Sequence, residues 1–198
     1  MDDFFPQLET YELEKIIKAT VESLKSITQE RFYRTERGYQ GRFYCALQES
    51  LDGMGIFDNG VILEMEYQKT ASLHQTTQRP DIVLHIPFEY SGAKRNINNY
   101  AVWALKHHGN YRKVRDDFTK LDLMFENLHY PIGLTIIIDS DQPMLASYKG
   151  NFQERIHSFA VKLNNGAILI KHEYFEVNKL TENRKLKTEN RHHALFSD

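Results

Sequence analysis

A run of five residues, Leu134 to Ile138, constrains the fold of this chain more than any other segment. A strand with one face in water alternates apolar and polar residues, whereas this run is continuously apolar or β-branched and is typical of a strand buried on both faces. Such a strand needs a layer of structure on each side. The sequence therefore predicts a central sheet covered by helices, which is an α/β fold.

Apolar periodicity divides the rest of the chain into helices and strands around that run. Apolar residues three or four apart, which lie on one face of a helix, predict helices over 8–27, 39–51, 114–128 and 152–163. Alternating or continuous apolar runs between turn residues predict strands over 61–67, 81–86, 100–105, 134–138 and 167–175. We therefore expect one domain over residues 1–178 and a polar, basic C-terminal tail over 179–198.

Composition places the chain among ordinary globular proteins. Of its 198 residues, 41% are hydrophobic and 26% are charged, and no stretch is long and apolar enough to predict a transmembrane helix. The net charge of -2 argues against a uniformly basic nucleic-acid coat but leaves local basic clusters open. The one cysteine, Cys45, cannot form an internal disulfide and is expected to be buried, so the predicted location is a reducing cytoplasm.

Two short segments carry the clearest chemical signal. Pro80 fixes the backbone directly before Asp81, so the acid begins its strand at a defined angle. On the next predicted strand, Ala104 and Lys106 are two residues apart and share a face. If the two strands pair, Asp81, Ala104 and Lys106 should face one cleft.

This arrangement resembles the motif of the PD-(D/E)XK nucleases, with Pro80-Asp81 as its first half and Ala104-Leu105-Lys106 as its second. The resemblance covers residues 39–138 and implies a restriction-endonuclease-like αβββαβ core, a mixed central sheet flanked by helices. It also implies a Mg²⁺- or Mn²⁺-dependent nuclease in which the strand acids hold the metal and Lys106 positions or polarises the attacking water. DNA is the implied substrate ahead of RNA, in restriction, defence, mobile-element processing or repair.

Position 104 departs from the motif, because alanine stands where the family has Asp or Glu. A methyl group cannot bind a hard cation, which takes oxygen ligands. Either an acid, Glu by resemblance, has been replaced so that the protein binds without cutting, or the chain is a natural pseudoenzyme. The intact Asp81 and Lys106 favour the first interpretation. Both interpretations predict an inactive or weakly active nuclease.

Other residues are candidates to complete the metal shell or to contact nucleic acid. The resemblance implies a further acid on the first core helix or the first strand. Glu66 and Glu49 rank first for that role, ahead of Glu36 and Glu64, and each is otherwise an exposed glutamate. Gln68 shares the face of Glu66 and is a candidate substrate contact. The remaining candidate nucleic-acid contacts are His107, His108, Arg112, Lys113 and Arg115.

Competing functions have weaker support in the sequence. The pairs His107-His108 and His192-His193 lack cysteine partners and a zinc-site spacing. Asp117 fits the first turn of a helix, where an acid is stabilised by the helix dipole. The principal rival to the nuclease is a catalytically silent module on the same fold that binds nucleic acid or protein. A homodimer, or a place as a subunit of a larger complex, is a further expectation.

Overall fold

The structure, a computed structural model, describes residues 10–65, 80–87, 98–177 and 184–194. Within these residues there are three α-helices: α1 (Thr10–Ser26), α2 (Glu36–Gly53) and α3 (Tyr111–Leu128). The strands are β1 (Ile62–Met65), β2 (Ile82–His85), β3 (Asn99–His107), β4 (Ile132–Ile138), β5 (Ile156–Asn164), β6 (Ala167–Val177) and β7 (Arg184–Ala194). Short 3-10 helices span Glu30–Arg34, Asp58–Gly60, Leu145–Ser147 and Gln153–Arg155.

All of these strands belong to one sheet, and their order in the sheet is their order in the chain. Strands β1, β2 and β3 form an antiparallel meander, β3, β4 and β5 are parallel, and β5, β6 and β7 are antiparallel again. The parallel step from β3 to β4 crosses over through α3, as a parallel connection requires. The predicted mixed α/β architecture is therefore confirmed.

Helices cover both faces of the sheet. On one face, α1 and α2 pack against alternate residues of the strands, including Leu84, Trp103 and Ile136. On the other face, α3 packs against the residues between them, including Val83 and Val102. We call these the α1/α2 face and the α3 face. On β2 the odd-numbered side chains point to the α3 face, and on β3 the even-numbered ones do. The residues between them point to the α1/α2 face.

Strand β4 lies at the centre, and all seven of its residues are buried, as the continuous apolar run predicts. Its one glycine, Gly133, lies against Phe125 of α3. A Cβ at Gly133 would lie 2.6 Å from the ring of Phe125 on α3, a separation that carbon atoms do not tolerate. The absence of a side chain therefore lets α3 pack directly over β4.

The predicted helix over 152–163 is wrong, because residues 156–164 form strand β5. Strand β5 lies between β4 and β6, and five of its nine residues are buried. Phe159 and Val161 lie in the core on the α1/α2 face, whereas Ile156 belongs to the core on the α3 face. When both faces of a strand are apolar, its apolar residues can coincide with helical spacing, and periodicity alone does not separate the two.

The expected tail over 179–198 is corrected for residues 184–194, which form the edge strand β7. Its pairing with β6 runs from Val177↔Arg184 to Ala167↔Ala194. Leu186 packs on the core of the α3 face, while most of the strand is polar and exposed. A polar edge strand resembles a tail in sequence because charged residues are what protect a sheet edge from further pairing.

The helices bear on two further expectations. Among the described residues, no helix is both long enough and apolar enough to span a membrane. Cys45 is exposed, so the expectation that it is buried is wrong. It lies on the outer side of α2, whose inner side carries Phe43 and Leu47.

Candidate active-site cleft

Asp81 directly precedes β2 and faces β3. The register pairs Ile82 with Trp103, and one further antiparallel step puts Asp81 opposite Ala104. The Oδ2 atom of Asp81 accepts a hydrogen bond of 2.6 Å from the backbone N–H of Leu105. This bond holds the carboxylate beside position 104, where opposite Cβ atoms of an antiparallel pair are about 4.5–5.5 Å apart.

Lys106 lies two residues beyond Ala104 and points to the same α3 face. Its Nζ atom is 3.4 Å from Oε1 of Glu36 and 3.5 Å from Oδ2 of Asp117. The lysine side chain is 22% exposed, whereas that of Asp117 is only 9% exposed. The ammonium group is thus fixed between two acids, one from the start of α2 and one from α3.

The side chains of Asp81, Ala104 and Lys106 line a single small cavity on the α3 face, so the structure brings together the three residues that the motif spacing selects. The cavity measures about 50 Å³, which is room for a few water molecules or a larger side chain at position 104. The roles of these residues stay predictions. The full lining comprises Pro80, Asp81, Val102, Ala104, Lys106, Asp117, Lys120, Leu121 and Met124.

Burial perturbs the two titratable groups that define the cleft. It raises the pKa of Asp81 to about 6, although the hydrogen bond from Leu105 and the charge of Lys106 act in the opposite direction. Burial by itself lowers the pKa of Lys106, but the carboxylates of Asp117, Glu36 and Asp81 outweigh that effect and the pKa lies above its ordinary value. Lys106 therefore stays protonated and positively charged, and Asp81 loses its proton less readily than an exposed aspartate does.

Two acids, Glu36 and Asp117, complete the surroundings of Lys106. Glu36 ranked behind other glutamates, yet it is the first residue of α2 and its Oε2 also accepts from the backbone N–H of His107 at 3.0 Å. The expectation that Asp117 lies in the first turn of a helix is wrong, because it is the seventh residue of α3, where it is buried and also pairs with Lys120 at 2.8 Å. The sequence feature that could have identified Asp117 as a buried acid is its position four residues before Leu121, on the apolar side of α3.

The other candidate acids are not brought into the cleft. Glu49 is exposed on α2, thirteen residues beyond Glu36, which is about 20 Å along the helix axis. Glu64 pairs with His85 instead, with 2.6 Å between Oε2 and Nε2. Glu66 and Gln68 lie outside the described residues.

The basic cluster at the start of α3 is divided between two sides of the helix. Arg112, Lys113 and Arg115 are all exposed, and in the part of the chain that the structure describes none has an ion-pair partner. Lys113 precedes Asp117 by four residues and so lies on the cleft side. Arg112 and Arg115 project about 140° and 160° around the helix from Asp117. Of the predicted cluster, only Lys113 is directed to the rim of the cleft.

His107 and His108 lie at the C-terminal end of β3, outside the cleft. His107 belongs to the α1/α2 face, because it alternates with Lys106. Its Nε2 atom is 2.7 Å from the carbonyl oxygen of Tyr33. Both histidines line a second, wider cavity together with Asp139. Neither histidine lines the cavity that contains Asp81, Ala104 and Lys106.

Comparisons with protein-family models, with curated proteins and with solved structures find no match to this chain. The chemistry of the cleft must then be inferred from its own side chains. A fixed ammonium group can orient water or a phosphate oxygen, and a carboxylate can hold a cation or accept a proton. Within the described residues, no three acids around Lys106 have carboxylate oxygens within 4.8 Å of one another.

Proposed function

We propose that this chain carries the framework of a metal-dependent DNA nuclease of the PD-(D/E)XK type, with a metal site left incomplete by Ala104. The observation that supports it is the register of β2 and β3, which sets Asp81 opposite Ala104 and places Lys106 on the same face. The element order helix, three strands, helix, strand from α2 to β4 agrees with the core that the resemblance implies. As it stands, the protein is expected to be inactive or very slow.

The present cleft does not fit a Mg²⁺ ion. Mg²⁺ takes a near-octahedral set of oxygen ligands, whereas position 104 offers a methyl group and Oδ2 of Asp81 already accepts from Leu105. The cleft with Ala104 therefore supports no metal-dependent step. A carboxylate at position 104 would supply the second protein ligand beside Asp81, and the bound ion would stabilise the charge that develops on a phosphate.

Lys106 has a role in this proposal that does not depend on the metal. Its ammonium group is held by Glu36 and Asp117 near the edge of the cavity, where a phosphate or an attacking water would approach Asp81. A cation fixed in advance stabilises developing negative charge without reorganisation, which is the largest contribution in many active sites. Lys113 and Lys120 on the same side of α3 would contact the phosphate backbone.

The second candidate function is a catalytically silent module on the same fold. The observation that favours it is that Lys106 pairs with both Glu36 and Asp117. These two carboxylates give the lysine charged partners without any metal or substrate. Alanine at position 104 in the natural gene supports this module, whereas Asp or Glu there supports the nuclease. In either case DNA is the favoured nucleic acid over RNA. A homodimer, a larger complex and a cytoplasmic location remain parts of the proposal.

The experiment is a cleavage assay with the Ala104→Glu protein on linear DNA, circular DNA and RNA, in Mg²⁺ and in Mn²⁺. Restoring one electrostatic group in a catalytic site is worth on the order of a hundredfold or more in rate, so cleavage should be evident against the unaltered protein. It should disappear with chelator and in Ala104→Glu combined with Asp81→Ala. Ala104→Gln is the matched control, since it has nearly the same size and no charge.

Lys106→Ala in the Ala104→Glu background separates catalysis from binding. Cleavage should fall, while DNA affinity should change little because Lys113 and Lys120 remain. If correctly folded Ala104→Glu protein cuts none of these substrates with either metal, the silent module becomes the better account.

A further inference from the structure

A second cluster of ligating side chains lies where β3 and β4 end. The register pairs His107 with Ile138, so His108 and Asp139 follow directly at the ends of two adjacent parallel strands. The backbone N–H of His108 donates to the carbonyl of Ile138 at 3.0 Å. Both residues then have positive φ, +48° for His108 and +54° for Asp139. A left-handed conformation is uncommon for non-glycine residues, although His and Asp adopt it more readily than most, and such conformations cluster at functional sites.

The spacing of these side chains suits one small cation. One ligand atom from each of His107, His108 and Asp139 lies within 4.8 Å of the other two. Ligands about 2.1 Å from a tetrahedral metal ion are about 3.4 Å from one another. The 3.5 Å between Nε2 of His108 and Oδ2 of Asp139 already matches this separation. The other two separations are no more than 4.8 Å, which is at most about 1.4 Å above the tetrahedral value.

The hydrogen bond of His107 leaves one ring nitrogen available as a ligand. Nε2 lies 2.7 Å from the carbonyl oxygen of Tyr33, and a carbonyl can only accept. Nε2 therefore carries the proton, and Nδ1 keeps its lone pair. A ligating histidine usually donates its other ring N–H to a carbonyl or carboxylate in this way, which fixes its tautomer and orientation.

The cluster opens into a cavity with room for solvent ligands. The cavity measures about 440 Å³ and lies at the C-terminal ends of β3 and β4, and it shares no lining residue with the cavity that contains Ala104. Acidic Glu30 lies across it and pairs with Arg34 at 3.1 Å. The lining residues are Glu30, Tyr33, Arg34, His107, His108, Asp139 and Leu163.

We propose that His107, His108 and Asp139 bind one divalent transition-metal ion, with Zn²⁺ as the representative probe, and that the remaining coordination positions are open to solvent or a ligand. Imidazole nitrogen selects Zn²⁺, Ni²⁺, Cu²⁺ and related ions, whereas Mg²⁺ and Ca²⁺ require oxygen ligands. This site is therefore distinct in chemistry from the one proposed at positions 81 and 104, and it does not depend on that proposal. Neither cysteine partners nor a zinc-finger spacing is needed, because strand pairing supplies the third ligand.

The test is titration of tag-free, chelator-treated protein with Zn²⁺, followed by calorimetry, and with Co²⁺, followed by its visible absorption. His108→Asn and Asp139→Asn each remove one ligand, and asparagine tolerates the positive φ at both positions better than most residues do. The other adjacent histidine pair provides a matched control, His192→Asn with His193→Asn on β7. Thermal unfolding without metal verifies that each variant is folded.

The unaltered protein should bind one Zn²⁺ per chain. Each ligand change should weaken that binding by at least about tenfold, since even the hydrogen-bond partners of metal ligands commonly contribute about 10–100-fold. Zn²⁺ should raise the unfolding temperature of the unaltered and control proteins but not of the ligand variants. The proposal is overturned if Zn²⁺ does not bind saturably, or if His108→Asn and Asp139→Asn both bind it as tightly as the unaltered protein. Weakening in the β7 control alone would also overturn it.

Discussion

Replacing Asp81 by Asn should make the protein more stable at neutral pH. Asn is nearly isosteric with a protonated Asp and can still accept the hydrogen bond from Leu105. Burial raises the pKa of Asp81 from 3.8 to about 6, so the ionised carboxylate is less favourable in the folded chain than in the unfolded one. A shift of about two pKa units corresponds to about 3 kcal/mol. We expect Asp81→Asn to add about 2–3 kcal/mol to the free energy of unfolding at pH 7.

The sign of this effect gives it a characteristic pH dependence. Below pH 3.8, Asp81 is neutral in both states and contributes no difference. Between pH 3.8 and about 6, the unfolded chain ionises Asp81 before the folded chain does, so the unaltered protein loses stability as pH rises. Above pH 6 the loss is constant. The advantage of Asp81→Asn should therefore grow from near zero to its full value across this window.

Urea unfolding of both proteins between pH 4 and pH 8 measures this difference. Asp117→Asn is the control from the same cleft. It removes a buried carboxylate that pairs with both Lys106 and Lys120, so it should lower the free energy of unfolding by about 1–3 kcal/mol. An Asp81→Asn protein that is less stable at pH 7, or an advantage that does not change with pH, would refute the assignment of Asp81 as a desolvated site carboxylate.

Two further predictions concern DNA binding and acid stability. Lys113→Ala should reduce the slope of log affinity for DNA against log salt concentration by about one, measured by fluorescence anisotropy, whereas Arg115→Ala, on the far side of α3, should leave it unchanged. Burial lowers the pKa of His157 to about 3 and that of His172 to about 4. Stability should therefore fall as pH drops from 6.5 toward 4, since only the unfolded rings take up protons there. His157→Gln should make that fall smaller in denaturant titrations, and an unchanged pH profile would contradict this.

Local patterns predict the parts of the fold that local physics determines. The run from Leu134 to Ile138 is typical of a strand buried on both faces, and the two-residue spacing of Ala104 and Lys106 puts them on one face of their strand. The sequence did not predict strand β5 because the spacing of its apolar residues fits both a helix and a strand buried on both faces. Only the pairing of this segment with β4 and β6 distinguishes the two. Strand β7 was missed because a polar edge strand has no apolar signature of its own.

The candidate sites likewise combine contacts that local sequence patterns predict with contacts that they do not. Strand alternation and the short distance along the chain were enough to associate Asp81 with position 104. Glu36 reaches Lys106 from seventy residues away in sequence, and Asp139 reaches His108 across a parallel pairing. Such contacts depend on how helices and strands pack, which no local spacing specifies. An acid on the apolar side of a helix, as at Asp117, is the one clue of this kind that a sequence offers.

The central claim is that positions 81 and 104 are the two carboxylate positions of one divalent metal site. Mn²⁺ binding tests it more directly than cleavage does, because it needs no correct substrate. The measurement is Mn²⁺ titration, by electron paramagnetic resonance, of Ala104→Glu and Ala104→Gln proteins, both carrying His108→Asn to remove the second proposed site. Ala104→Glu should bind one Mn²⁺ per chain that Mg²⁺ displaces, and Asp81→Asn should abolish it. Equal binding by the Glu and Gln proteins, or none by either, would contradict the claim.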